Sequence, residues 1–198
     1  MNSEQLLAYS IKYEGDYASI QRAIHQNEPY HPVKDKGFYF TLCDDIYPDS
    51  LKVLKNPPFV LYYRGNLNLL QSECVSVIGS RNALPYASKW TEIVVKELSK
   101  NYVIVSGLAK GIDGLAHEVA LEYGSTIAIL GCGIDVIYPI CNKDLYHKIM
   151  KNGLILSEYP GKTEVRKHQF VMRNRIIAGL GQSLFVMQSN LKSGSMIT

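Results

Sequence analysis

Ten consecutive residues, Arg166-Lys167-His168-Gln169-Phe170-Val171-Met172-Arg173-Asn174-Arg175, hold the densest chemistry in this 198-residue chain. Cations interleaved with a lone aromatic ring suit single-stranded nucleic acid. Lysine and arginine neutralise the phosphate backbone, and a ring stacks on an unpaired base for about 1–3 kcal/mol. Lys167, Phe170, Arg173 and Arg175 are therefore candidate contacts. Phe170 is expected to open a helix that carries Arg173 and Asn174 one turn along. The same residues also fit a structural part, with Phe170 in the core and Arg173 or Arg175 pinning loops through carbonyls. The stretch alone leaves both open.

A second pattern is a small-residue turn that closes successive apolar runs. It reads Gly79-Ser80-Arg81, Ser106-Gly107, Gly131-Cys132-Gly133 and Ser193-Gly194-Ser195. Glycine lets backbone N–H groups approach a phosphate, and a following helix N-terminus favours the negative charge. Gly79, Ser80, Ser106, Gly107, Gly194 and Ser195 are thus candidate anion contacts, with Arg81 as a planar donor fork. Glycine is also simply common in such turns, and Arg81 could instead pair with Asp113 or Glu158. Four turns at one end of a sheet, with an arginine among them, favour an anion site.

Other constellations carry less. Asp113 and His117 share a helix face at i and i+4, but no third ligand has matching spacing, so capping or packing is expected instead of a metal. Ser106 lies in Val-Ser-Gly-Leu-Ala and not in a G-x-S-x-G elbow, which argues against a hydrolase. The turn after Val75 lacks the later glycines of G-x-G-x-x-G, and no G-x-x-x-x-G-K-[ST] occurs. NAD, FAD and P-loop ATP binding are disfavoured, and no cofactor is expected.

The elements that must position these residues follow from apolar runs. Strands read at Phe38–Cys43, Phe59–Tyr63, Val75–Ile78, Val103–Ser106, Thr126–Leu130, Leu154–Ser157 and Leu184–Gln188. From Val75 onward, helices alternate with them at about Pro85–Ser99, Gly111–Glu122, Lys143–Lys151 and Phe170–Gly179. Continuous apolar strands alternating with helices indicate an α/β, doubly wound, mostly parallel sheet. Ahead of it, Ser3 to about Gln26 reads as a short helical hairpin, ended by Pro29 and Pro32. The expected division is residues 1–35 as that helical segment and 36–198 as the sheet domain. Ser193-Gly194-Ser195 should open a further helix, so the chain is expected to be cut short there.

Composition narrows the classes. Hydrophobic residues make up 46% and charged residues 20%, as in an ordinary globular protein. The four cysteines are scattered without a C-x-x-C pair, which suits a reducing cytoplasm and neither zinc nor disulfides. No apolar run spans a membrane, and the N-terminus is not a secretory signal. The net charge of +3 is unevenly placed: after Gly161, Lys162, Arg166, Lys167, Arg173, Arg175 and Lys192 face Glu164 alone. Such a patch suggests an anionic partner.

Several further segments carry a resemblance. They include Tyr47-Pro48-Asp49-Ser50-Leu51, Val77-Ile78-Gly79-Ser80-Arg81, Ser106-Gly107-Leu108-Ala109-Lys110-Gly111-Ile112-Asp113 and Leu130-Gly131-Cys132-Gly133-Ile134-Asp135. Leu156-Ser157-Glu158-Tyr159-Pro160, Arg173-Asn174-Arg175-Ile176-Ile177-Ala178-Gly179-Leu180 and Ser193-Gly194-Ser195-Met196-Ile197-Thr198 complete them. In order and spacing, from about Phe38 to the end, the chain resembles the DNA-processing protein A (Smf) family of bacteria. The resemblance implies an extended Rossmann-like fold and a non-catalytic, cytoplasmic protein that binds single-stranded DNA. It would protect incoming DNA and help load the RecA recombinase in natural transformation and recombination. It implies a homodimer for the full-length protein, and places the family's single-strand pocket on Arg81, Lys167 and Phe170.

Against the family's usual pattern, about 35 residues stand in place of a larger helical domain, and a C-terminal winged-helix module is expected to be missing from these 198 residues. Val165 stands where proline is frequent. The competing class is an enzyme, a phosphoribohydrolase on a related fold, with Glu158 as its carboxylate. That fold's Pro-Gly-Gly-x-Gly-Thr loop is absent, and the chain has no Gly-Gly pair.

Overall fold

A computed structural model describes residues 1–34 and 37–189. The elements in chain order are α1 (Ser3–Lys12), α2 (Tyr17–His25), β1 (Tyr39–Thr41), α3 (Asp49–Lys52), β2 (Val60–Gly65), β3 (Cys74–Ile78) and α4 (Pro85–Leu98). Then come β4 (Val103–Ser106), α5 (Ile112–Tyr123), β5 (Thr126–Gly133), α6 (Lys143–Asn152), β6 (Leu154–Tyr159), α7 (Lys167–Leu180) and β7 (Leu184–Val186).

The strands form one sheet in the order β1-β2-β6-β5-β4-β3-β7. β6, β5, β4, β3 and β7 run parallel, while β1 and β2 are antiparallel additions beside β6. This is the doubly wound α/β architecture expected from the sequence, with β1 and β2 as the extension. Strands β3 to β6 are buried along their whole length, which explains why they read as unbroken apolar runs.

Alternate strand residues feed opposite layers. Val75, Val77 and Ile104 pack with Ala87, Val95, Ile112, Ala116 and Ala120 of α4 and α5. Ile78, Val105, Ile127 and Ile129 pack on the other face with Ile176, Ile177 and Leu180 of α7 and Leu51 of α3. The N-terminal hairpin buries Leu6, Leu7, Tyr9, Ile20 and Ala23 against Tyr62, Leu130, Ile155 and α6, within one cluster. Its two helices are capped by Asn2 and Asp16, whose side chains accept from the N–H groups of Gln5 and Ser19.

The chain runs outward from β3 through β4, β5 and β6, then α7 returns it to β7 on the other side of β3. This reversal makes a topological switch point at β3, and ligands of open α/β sheets bind at the carboxyl ends there. The turn carrying Arg81 leaves β3 at that place. α7 also starts at this end, at Lys167 and not at Phe170 as expected. Lys167 and His168 face solvent, so the apolar pattern missed the first turn. Its cap is polar: the Arg166 N–H donates to Gln169 Oε1 at 2.7 Å, and Gln169 is buried.

Candidate nucleic-acid interface

A cleft of about 210 Å³ opens at the carboxyl ends of β4 and β5, lined by Arg81, Gly107, Ala109, Lys110, Gly131, Tyr138, Pro139 and Phe170. Phe170 is half-buried on its wall, packed over Gly131 so closely that a Cβ on Gly131 would lie 2.7 Å from the ring. The Tyr138 ring leans on it with centroids 5.5 Å apart, and Tyr138 is exposed. The Arg81 guanidinium sits 5.8 Å from the Phe170 centroid. Arg81, Lys110 and Lys167 are exposed and pair with no carboxylate among the described residues. A cation fork and an aromatic face thus border one small concavity. Phe170 is neither a free platform nor a core residue; one face is used for packing and the remainder is accessible.

Several expected contacts are spent inside the protein. Arg173, expected on the DNA face, is 5% exposed, and its Nη1 donates to the carbonyls of Gly107 at 2.6 Å and Ile129 at 2.5 Å. α7 turns Arg173 inward in register with Ile176, Ile177 and Leu180, so the cation cannot reach a ligand on the surface. Arg175, also expected on the DNA face, is likewise taken up by protein groups. Its Nη2 donates to Glu158 Oε1 at 2.5 Å, Nε to the Asn56 carbonyl and Nη1 to the Met172 carbonyl. Arg81 therefore pairs with neither Asp113 nor Glu158. Glu158, the carboxylate named for the enzyme alternative, is consumed by Arg175 and 4% exposed.

The turns divide in the same way. The Ser106 hydroxyl is fully buried and donates to the Val77 carbonyl at 2.6 Å. Gly79 is buried, its N–H donating to Asp113 Oδ1 at 3.3 Å, and a side chain there would strike Ile112. Ser80 closes its own turn: Oγ donates to the Asn82 carbonyl and accepts from the Asn82 N–H, both at 3.1 Å. The Gly79 N–H and the Ser80 and Ser106 hydroxyls are thus engaged within the protein, where they shape the Arg81 turn and its neighbour. Gly107 lines the cleft, although its carbonyl is held by Arg173. Gly194 and Ser195 lie outside the described residues.

Asp113 and His117 have structural partners. The His117 Nε2 accepts from the Leu108 N–H, which leaves Nδ1–H to donate to Thr126 Oγ1 at 2.7 Å, and that hydroxyl donates to the Ile104 carbonyl. Burial, then the Arg173 charge, push the His117 pKa down to about 3, so the ring is neutral. Burial raises the Asp113 pKa, opposed by Arg173 and by the N–H groups of Gly79, Ala109 and Gly107. Sequence reasoning missed Lys110 and Tyr138 as cleft residues. Gly131-Cys132-Gly133, expected as a turn, is the end of β5; the Tyr138-Pro139 pair beyond it was visible, but nothing local says that it folds back to the cleft.

The sequence model of the DNA recombination-mediator protein A family matches residues 38–198. The chain belongs to that family. It is 47% identical over 161 residues to the DNA processing protein DprA of Streptococcus pneumoniae, covering 80% of this chain and 57% of that protein. It is 43% identical to Protein Smf of Synechocystis, over 85% of this chain and 44% of that protein. The chain therefore spans about half the length of these curated relatives. The X-ray structure of Streptococcus pneumoniae DprA superposes with a TM-score of 0.81 at 36% identity, over 98% of this chain and 76% of that one. DNA processing protein A from Helicobacter pylori, whose structure is described for its single-stranded DNA binding mode, gives 0.75 at 40% identity, over 83% and 76%. Membership of the recombination-mediator family agrees with the Rossmann-like fold and with the motifs from Phe38 onward.

Proposed function

We propose that this protein binds single-stranded DNA in the cleft bordered by Arg81, Lys110, Tyr138 and Phe170, with the exposed Lys167, three residues before Phe170 on α7, as a further phosphate contact. The observation that carries the reading is the Arg81 guanidinium 5.8 Å from the centre of the Phe170 ring, with both residues facing the cleft. One residue grips a phosphate while the other, with Tyr138, meets the face of an adjacent base. The floor at Gly107 and Gly131 lets a nucleotide approach the backbone closely. Support also comes from the Helicobacter pylori neighbour, whose described mode is single-strand binding.

On the same reading the protein acts without catalysis or cofactor in the cytoplasm, protects incoming DNA, and helps load the RecA recombinase, as a homodimer when full length. Binding is tested by titrating single- and double-stranded oligonucleotides of equal length at moderate salt. Preference for the single strand is expected, because only unpaired bases can stack in the cleft. Equal affinity for the two would reduce the site to a generic basic patch. Incubation with nucleoside monophosphates should release no free base.

A further inference from the structure

Beside the cleft lies an exposed apolar stripe that the cleft does not use. α4 buries Ala87, Thr91 and Val95 against the sheet. On its outer side Tyr86 and Trp90 are each 58% exposed, and Ile93 continues the row. Positions 86, 90 and 93 stack on one helix face at i, i+4 and i+7. Exposed aromatics in a row are informative where a single exposed leucine would not be.

The stripe starts where the cleft ends. Only Asn82, Ala83 and Leu84 separate Arg81 from the first residue of α4, and the Leu84 N–H is held by Gln188 Oε1 after β7 at 2.9 Å. This connection pins the start of α4 at the carboxyl end of the sheet, on the face opposite α7. Lys89 is exposed between the two rings, and no acidic residue lies in the first turn of α4. In chain order Arg81, Tyr86, Lys89 and Trp90 alternate cation and ring, and the Arg81 guanidinium at the head of this series lies 5.8 Å from the Phe170 centroid.

We infer that Tyr86, Lys89 and Trp90 form a second subsite that carries a single strand onward from the cleft along α4, the rings stacking on bases and Lys89 meeting a phosphate. The inference rests on the proposed single-strand binding at Arg81 and Phe170. The occupant is nucleic acid and not a protein because the row alternates rings with cations and is continuous with the cleft.

Trp90 is the chain's single tryptophan, so its emission reports on this subsite alone. Oligothymidylates of about 4 and about 16 nucleotides are titrated, with binding followed by anisotropy of a label on the DNA and stacking by Trp90 emission. The longer strand is expected to quench Trp90 and the shorter one, filling the cleft, to leave it unchanged. Trp90→Ala should weaken the longer strand about 5-fold or more, leave the shorter one and the thermal midpoint unchanged, and Trp90→Phe should restore binding. If both strands bind but Trp90 is not quenched and Trp90→Ala changes nothing, the subsite is overturned while the cleft stands. If neither strand binds, both fail. A shift of Trp90 emission with protein concentration in the absence of DNA would assign the stripe to contact between two copies, and would also overturn the inference.

Discussion

Arg173 occupies the space that a side chain at Gly107 would need. A Cβ on Gly107 collides with the guanidinium, and Arg173 Nη1 donates to the Gly107 carbonyl at 2.6 Å. A buried cation thereby ties α7 to the end of β4 and the middle of β5, with Asp113 as the charge facing it. The cleft rests on this pair, because α7 carries Phe170 and the residue after β4 is part of its floor.

Gly107→Ala should therefore act on the fold first. The added methyl must displace a buried, hydrogen-bonded arginine, and a loss of about 1–3 kcal/mol is expected, as for other overpacked interiors. Urea denaturation of the variant beside the wild type checks it. An unchanged midpoint would mean that Arg173 has room to move.

Phe170→Ala removes a ring that is half-buried and faces the cleft. Affinity for a single strand should fall by about 1–3 kcal/mol with the salt slope unchanged, since a stacking contact releases no counterions. The thermal midpoint should drop less than for a fully buried phenylalanine, whose truncation costs about 3–5 kcal/mol. Wild-type affinity in a folded variant would remove the stacking role.

Arg175→Ala should separate stability from binding. It leaves Glu158, 4% exposed, buried without its partner, a change that costs about 3–5 kcal/mol. DNA affinity of the folded protein should stay close to wild type, because the guanidinium is occupied by Glu158 and two carbonyls. A stable variant with weak DNA binding would return Arg175 to the interface.

His117 gives a dependence on pH. Its folded pKa is pushed down to about 3 by burial, then by Arg173, whereas in the unfolded chain it titrates near 6.5. The unfolded chain binds the extra proton between these values. The stability contributed by neutral His117 is thus complete above about pH 6.5 and is lost as pH falls toward 3. Asp113 and Glu158, raised by burial, work in the opposite sense over the acid range. Comparing wild type with His117→Asn isolates the histidine: the variant's stability should fall less steeply between pH 6.5 and 3. Parallel curves would show that the ring is not held neutral.

Much of the parallel sheet was legible because β3 to β6 are buried on both faces and so read as unbroken apolar runs. The reversal at β3 was not, since pairing partners leave no local signal. In the site, Arg81 and Phe170 line the cleft, as their neighbours suggested, whereas Lys167, exposed at the start of α7, is not among the lining residues. The places of Arg173 and Arg175 were not legible, because a cation inside a helix looks the same whether it meets solvent or a buried carbonyl. The apolar spacing Ile176, Ile177, Leu180, carried one turn back, lands on Arg173 and was the available warning. Ser106 is similar: a hydroxyl in a glycine turn looks like a donor for phosphate until the Val77 carbonyl is found above it.

The most direct test of the cleft is the salt dependence of single-strand binding by wild type and Arg81→Ala, both shown to be folded. Arg81 is exposed beside the Phe170 ring, so its loss should spare the fold. The affinity of Arg81→Ala should be lower, and its plot of log affinity against log salt shallower by roughly 0.7, one phosphate contact on a single strand. Unchanged affinity and an unchanged slope would contradict the cleft as the place where DNA is held.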